Sequence, residues 1–338
     1  MTLPESPASQ ASTDAALHRL QRLINRVFAA ILAVLVIAAV MTLSLRYMEA
    51  VDDGRREAEN LADLLSEYLV IRLRGIDGAL ARIAADNRRI GGPEGPDRQW
   101  AAAMRSAITG VPGLSSLVVL DQVGVVRHTT VQQIRGLSWA DRRIFRELAR
   151  GVPNLVAVDP PITMVAGSEV LVPFGRALTD PRGDFVGAII ALLLPHQLRD
   201  FLSTFDLGQS GVAWVLLPSG ETLFRDSSVD VPGLPTDGEA PAFAREGAPS
   251  SDGIVRGPLV PGGASYVTAY RTTAIANLVV AVSLADTNFL SRWRNEAIAA
   301  AGFIIVAAVL LFFAARHIRA AALDVIASEP EEPGDTPV

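Results

Sequence analysis

Four histidines, His18, His128, His196 and His317, are the residues of this 338-residue chain best suited to metal or acid–base chemistry. They lie far apart and none sits in a His-Glu-x-x-His pair, the spacing that puts two imidazoles on one helix face around zinc. No Gly-x-Ser-x-Gly elbow, phosphate-binding loop or dinucleotide glycine motif occurs. The absence of cysteine excludes disulfides, thiolate metal sites and cysteine catalysis. The 36 Asp and Glu residues are scattered as on a solvated surface, and carboxylates near in sequence are not by themselves an acid–base pair. No catalytic residue, metal ligand or cofactor is therefore expected, and the chain reads as no enzyme. All 30 basic residues are Arg, yet the net charge is -6, which disfavours nucleic acid because neutralising phosphates needs clustered positive charge. His317 reads as a basic residue at a membrane surface rather than a phospho-acceptor.

The elements that hold these residues are set first by two apolar runs. Hydrophobic residues make up 50% of the chain and charged residues 20%, and the excess is local. Val27 to Leu45 has 17 apolar residues of 19, and Ala297 to Ala315 has 18 of 19. At about 1.5 Å per residue each run covers roughly 28 Å, the hydrocarbon thickness of a bilayer. A signal peptide is the rival reading of the first run, but the run exceeds the usual apolar core and LRYMEA follows it without a small-x-small cleavage site. Charged residues bracket the second run closely, which argues against a buried core helix.

The spans divide the chain into a tail at 1–26, a loop at 46–296 and a tail at 316–338. Arg19, Arg22, Arg26, Arg316 and Arg319 flank the spans on the tail side. Arg46, Arg55, Arg56, Arg292 and Arg294 flank them on the loop side, so the charge balance is neutral. A loop of this length crosses a membrane largely regardless of charge. Tyr47 and Trp293 are placed as interfacial aromatics. Both tails are read as cytoplasmic and the loop as external.

Within the loop, Leu61, Leu65, Tyr68, Leu69, Leu73, Ile76, Leu80 and Ile83 recur at steps of three and four, predicting an amphipathic helix over about 51–90. Gly75 and Gly78 each weaken it by roughly 1 kcal/mol relative to Ala, and GGPEGP (Gly91 to Pro96) stops it. Trp100 to Thr109 predicts a short helix. The pattern then becomes strand-like: a hairpin of Leu117 to Leu120 and Val123 to His128 around Asp121-Gln122, a helix over Asp141 to Arg150, and strands over Glu169 to Leu178 and Phe185 to Leu194. A helix opens at Pro195 and reaches about Phe205. The design repeats in Val212 to Leu217 and Glu221 to Arg225, at most a short helix near Phe243, and strands at Gly253 to Gly257, Ser265 to Arg271 and Leu278 to Leu284. Asp286 caps a helix leading into the second span. The fold class is α+β, a long helix with two antiparallel-sheet modules at about 100–195 and 206–285.

The runs LSWADRRIFREL (Leu137 to Leu148), VAVDPPI, SEVLVPFGRALTDPRGDFVGAIIALLL, FDLGQSGVAWVLLPSGETLF and SYVTAYRTT with LVVAVSL resemble the double Cache (PDC-like) sensor domain over about 48–294. The resemblance rests on order, spacing and turn chemistry rather than on one motif. It implies a long helix carrying two PAS-like modules, with small molecules bound in the one far from the membrane, in bacterial inner-membrane chemoreceptors, histidine kinases and diguanylate cyclases. Members that bind amino acids carry Arg-x-Trp-Tyr, whose Arg takes the ligand carboxylate, and an Asp late in the last distal strand for the ammonium group. Here the first motif reads Arg142-Arg143-Ile144-Phe145, and Leu192 stands where the Asp is expected. A buried ammonium without its counter-charge is strongly disfavoured, so free α-amino acids are not expected.

The resemblance leaves an anionic or uncharged ligand, a carboxylate among them. Arg142 is the first candidate and Arg176 the second, with Trp139, Phe145 and Met164 as an apolar wall. His196, after Pro195, is a weaker candidate. The implied function is an inner-membrane receptor subunit, expected as a homodimer, whose short tails leave output to a cytoplasmic partner supplied in trans. A non-sensing membrane scaffold using the same fold to dimerise or hold a partner is the alternative, as is a receptor that has lost its output domain.

Overall fold

The structure, a computed structural model, describes residues 7–151, 156–164, 169–195, 206–208, 210–227, 232–245 and 251–327. Helix α1 (Pro7–Ile90) contains the first span and the amphipathic segment in one uninterrupted helix. Helix α2 (Asp97–Gly110) and the short α3 (Arg143–Ala149) follow, and α4 (Asp286–Ala327) contains the second span. The chain divides into two units, one of Asp52–Phe289 and one formed by the helical segments on either side of it.

The unit that holds the two long apolar segments, each able to cross a membrane, exposes apolar side chains such as Val34, Ile37, Phe303 and Ile305. No residue of its most apolar windows is buried in protein. The two helices are tied near Trp293, whose indole N–H donates to the Leu43 carbonyl at 2.9 Å and whose ring meets Tyr47 edge-on at 5.3 Å. The two residues read as interfacial anchors thus also contact each other.

In the other unit, eleven strands among the described residues form two antiparallel sheets. The distal sheet runs β2 (Val126–Thr129), β1 (Leu114–Asp121), β6 (Phe185–Leu193), β5 (Val170–Thr179), β3 (Val156–Val158), with β4 (Ile162–Thr163) also on β5. The proximal sheet runs β8 (Thr222–Ser227), β7 (Val212–Leu216), β11 (Val279–Ala285), β10 (Ser265–Thr272), β9 (Gly253–Pro258). Helix α1 backs both. Leu65, Leu69, Leu73, Ile76, Leu80 and Ile83 are buried against Leu117, Val119, Phe174 and Ile189 of the distal sheet and against Val215, Val280 and Val282 of the proximal one. Strand alternation sends neighbouring side chains the other way. Val118, Leu120, Ile190 and Leu192 join Trp139, Ile144, Phe145 and Leu148 in a second core, and Trp214, Leu216 and Ala281 form a third. Both faces of both sheets are therefore buried, which explains why β6 and β11 read as continuous apolar runs.

The expected elements appear with small shifts. Strands β3 and β4 were not anticipated, since Pro160 and Pro161 break the segment into pieces too short to show alternation. The structure near Phe243 is a 3-10 turn, Ala242–Ala244. The helix expected over Pro195 to Phe205 and the candidate His196 lie, beyond Pro195, outside the described residues.

The first hairpin turns over four residues rather than two, and Asp121 is the reason. Only 4% exposed, its carboxylate accepts the N–H groups of Val123 (3.0 Å) and Val125 (2.9 Å) and the Arg127 Nε–H at 2.7 Å. Burial alone would raise its pKa, but these donors outweigh it and hold the group below the ordinary carboxylate value. A carboxylate with a depressed folded pKa contributes stability that is present above its unfolded value and is lost as pH falls through the folded one. Asp121→Asn is expected to lose about 1.5–3 kcal/mol at pH 7 and to flatten the decline in stability below about pH 4. Denaturant unfolding at several pH values tests this, and an unchanged decline in the variant removes Asp121 as its cause.

Candidate functional site

Three of the candidate ligand residues, Trp139, Arg142 and Phe145, lie in α3 and the turn before it. Arg142 sits at the helix N-terminal boundary with extended backbone (φ -72°, ψ 140°), and its N–H closes a turn onto the Trp139 carbonyl at 3.0 Å. That turn lays the guanidinium over the indole of Trp139, 4.4 Å from the ring centroid. Such a contact is worth about 0.5–2 kcal/mol, rising with desolvation. Among the described residues no carboxylate pairs with Arg142, so its N–H donors are held in place without a protein counter-charge.

Below it, α3 buries Ile144, Phe145 and Leu148. The helix lies close to β5 because position 175 is glycine: a Cβ there would stand 2.8 Å from Leu148 Cδ1 and 2.9 Å from Ile144 Cδ1. Phe145 meets Phe185 edge-on at 5.8 Å, and Met164 packs on the same cluster. The structure thus brings Arg142, Trp139, Phe145 and Met164 together on one face of the distal sheet.

Arg176 does not join them. Strand β5 points Leu171 and Ala177 toward α3, whereas Phe174 and Leu178 face α1, and Arg176 shares their parity. Its guanidinium pairs with Asp77 of α1. Arg176, the second candidate, therefore lies on the α1 face of the sheet and not on the α3 face that holds Arg142, a placement that a position in a continuously apolar strand does not reveal. Leu192 is fully buried in the α3-side core, so the position that would carry an ammonium-binding carboxylate is occupied by packed hydrocarbon.

Arg143 carried no signal in the sequence beyond its neighbour, yet it joins the two modules. Its Nε donates to the buried Asp159 at 3.1 Å, and its other nitrogens donate to the Val158 carbonyl at 3.5 Å and to Glu221 of the proximal module at 3.4 Å. Ser219 donates to the same Glu221 oxygen at 2.9 Å. A cavity of about 490 Å³ opens at this junction, lined by Asp77, Arg143, Glu147, Ser219, Ala276 and Asn277. Ala276 (φ 60°) and Asn277 (φ 49°) both hold left-handed backbone, a conformation that costs a non-glycine residue about 1 kcal/mol or more.

Where α1 ends beside the first hairpin, another cavity, about 470 Å³, is lined by Asn87, Gly92, Pro93, Asp121, Arg127 and Asp180. Near it the buried His128 stacks on Trp100 at 5.5 Å, with Nε2 2.8 Å from the Pro93 carbonyl and Nδ1 2.9 Å from Asp97. Burial pushes its pKa below the usual imidazole value, against the pull of Pro93 and Asp97. These contacts make it a packed structural histidine. Among the described residues no group of three or more His, Asp or Glu is arranged to hold a metal.

The proximal module grips α1 within its length and α4 at its first turn. Arg271 pairs with Asp63 of α1. Arg256 of β9 pairs with Asp286, the first residue of α4, at 2.5 Å, and Asn288 donates to the Leu207 carbonyl at 3.3 Å.

Compared with solved structures, the chain is similar to the extracellular domain of rpHK1S-Z16, a protein assigned as a histidine kinase, at 24% identity and a TM-score of 0.61, covering 72% of this chain and 99% of that one. The double Cache fold is this chain's fold. The ligand-binding domain of the Pseudomonas aeruginosa amino acid chemoreceptor PctB, solved with L-Arg, has 12% identity and a TM-score of 0.55 over 70% of this chain and 96% of that one. The corresponding domain of the Pseudomonas fluorescens chemoreceptor CtaA, solved with L-isoleucine, has 14% identity and a TM-score of 0.53 over 71% and 96%. Searched by sequence, the chain matches no family model and no curated protein. At these identities the likeness establishes the double Cache fold; ligand chemistry has to come from this chain's own residues.

Proposed function

We propose that this chain is a sensor subunit of a bacterial inner-membrane receptor, with its double Cache domain outside the cytoplasmic membrane and both termini in the cytoplasm. The observation that carries the reading is a double Cache fold set between two helices able to cross a membrane, with Arg271–Asp63 and Arg256–Asp286 fastening the proximal module to α1 and to the first turn of α4. A change in the sheets is thereby passed to the base of α4, and a cytoplasmic signalling partner reads the movement. Dimerisation through a second copy fits the exposed Leu64 and Ile71 on α1, one heptad apart on its outer side.

The ligand is a small anion, a carboxylate among them, or an uncharged molecule, bound beside Arg142 with Trp139, Phe145 and Met164 around it. Arg142 supplies a cation without a protein counter-charge among the described residues, while Leu192 removes the group an amino acid's ammonium requires. PctB and CtaA were solved with amino acids; this chain is expected to differ from them there. Nothing in the site suggests an enzyme. The packed core under Arg142 also suits a domain kept to dimerise or to hold an external partner, and the same experiment separates the two readings.

The full chain in mild detergent is expected to melt higher with a small carboxylate, because a ligand at about 100 times its Kd stabilises by roughly 2.7 kcal/mol. Arg142→Ala should abolish the shift. An equal shift in the variant removes the site, and no shift with any carboxylate or neutral metabolite favours the scaffold reading.

A further inference from the structure

The two membrane-crossing helices leave a groove of about 460 Å³ between them, lined along α1 by Leu35, Ala39, Thr42 and Arg46 and along α4 by Glu296, Ala300 and Phe303. From Leu35 to Arg46 the helix rises about 16 Å, half of a hydrocarbon core of about 30 Å, so the groove is one leaflet deep. Its floor is apolar: the Thr42 hydroxyl is turned onto its own helix, donating to the Ala38 carbonyl at 2.9 Å. Its mouth carries one cation and one anion, Arg46 and Glu296, at the level where the Trp293 and Tyr47 rings meet. Among the described residues both charges have only exposed partners on their own helices, Glu49 at 3.1 Å from Arg46 and Arg292 at 3.4 Å from Glu296. Such exposed pairs are weak and readily exchanged.

We propose that this groove holds a phosphatidylethanolamine, one acyl chain along the apolar floor, the phosphate on Arg46 and the primary ammonium on Glu296. An apolar floor one leaflet deep excludes a free phosphate or a soluble amine as occupant. The paired charges at the mouth match a headgroup that carries a phosphate and an N–H donor together. Phosphatidylglycerol offers nothing to neutralise Glu296, and the quaternary ammonium of phosphatidylcholine has no N–H to donate. Arg to phosphate and ammonium to carboxylate are both charge-assisted hydrogen bonds.

The full chain is reconstituted in nanodiscs with equal amounts of the three phospholipids, extracted gently, and its retained lipid counted by native mass spectrometry. Phosphatidylethanolamine is expected to be retained about tenfold over each of the others, the effect of one charged hydrogen bond. Glu296→Gln should bring the three close to equal, Arg46→Ala should lower retention of all three, and Ala39→Phe should empty the groove. Equal retention by the wild-type chain, or a preference unchanged in Glu296→Gln, overturns the proposal. So does efficient disulfide formation between copies carrying Ala300→Cys, in a chain with no other cysteine, because a second copy then fills the groove.

Discussion

Leu192→Asp lowers the melting temperature by roughly 10 °C and creates no response to amino acids. The substitution restores the residue type that amino-acid-binding double Cache domains are expected to carry, so sequence resemblance alone predicts a gain of function. The structure predicts the reverse. Leu192 is fully buried, and its cluster contains Val118, Trp139, Ile144 and Ile190. Replacing it removes packed hydrocarbon and places a carboxylate in a core that provides no counter-charge, at a cost of about 3–5 kcal/mol. For a domain of this size each kcal/mol shifts the midpoint by roughly 2–4 °C. Differential scanning fluorimetry with and without a panel of amino acids checks both parts. A variant that melts like the wild type and is stabilised by an amino acid shows that the core opens into a ligand pocket, and the anionic or uncharged assignment falls.

Gly54→Ala is the second large effect, although it replaces glycine within a helix. Propensity alone favours alanine there by about 1 kcal/mol. Against that, an added Cβ would stand 2.6 Å from both Cγ and Cδ1 of Phe289, atoms near the root of the side chain that cannot swing aside without moving α4. Overpacking of this kind costs about 1–3 kcal/mol, so the net change is destabilising, and larger residues do more damage. Because α1 and α4 meet at this point in the domain, the variant is also expected to alter output in a reporter assay. Gly54→Ala combined with Phe289→Ala tests the cause: the two changes should be less than additive. Full additivity would mean that the close approach of helix and ring contributes nothing.

Much of this organisation was legible because membrane spans and amphipathic helices are local patterns. Runs of 19 residues with 17 or 18 apolar, and a stripe at steps of three and four, mark the spans and the inner face of α1 without reference to any distant residue. The strands were legible too, with ends shifted by a few residues, since turn residues punctuate them. Strands β3 and β4 were not, being two or three residues long and set among prolines. The reach of the first hairpin was missed because it depends on one buried carboxylate collecting three donors.

For the candidate site, residue type singled out Arg142 and Arg176 alike, and the fold puts them on opposite faces of the distal sheet. A sheet buried on both faces has no polar alternation to show which side chain points where, and only the packing of α1 on one face and α3 on the other assigns Arg176 to Asp77. Arg143 is the complementary case. Nothing local distinguishes it from Arg142 beside it, and its role as the link from Asp159 to Glu221 exists only once residues 16 and 78 positions away are brought to it. By itself, then, the sequence determined which two helices are long and apolar enough to cross a membrane and which elements the chain builds, because apolar runs and helix periodicity act along the chain. Tertiary structure alone decided which arginine lies over Trp139, which ones pair the modules with the helices, and that Leu192 belongs to a packed core, because these outcomes depend on charges and volumes that meet only after folding.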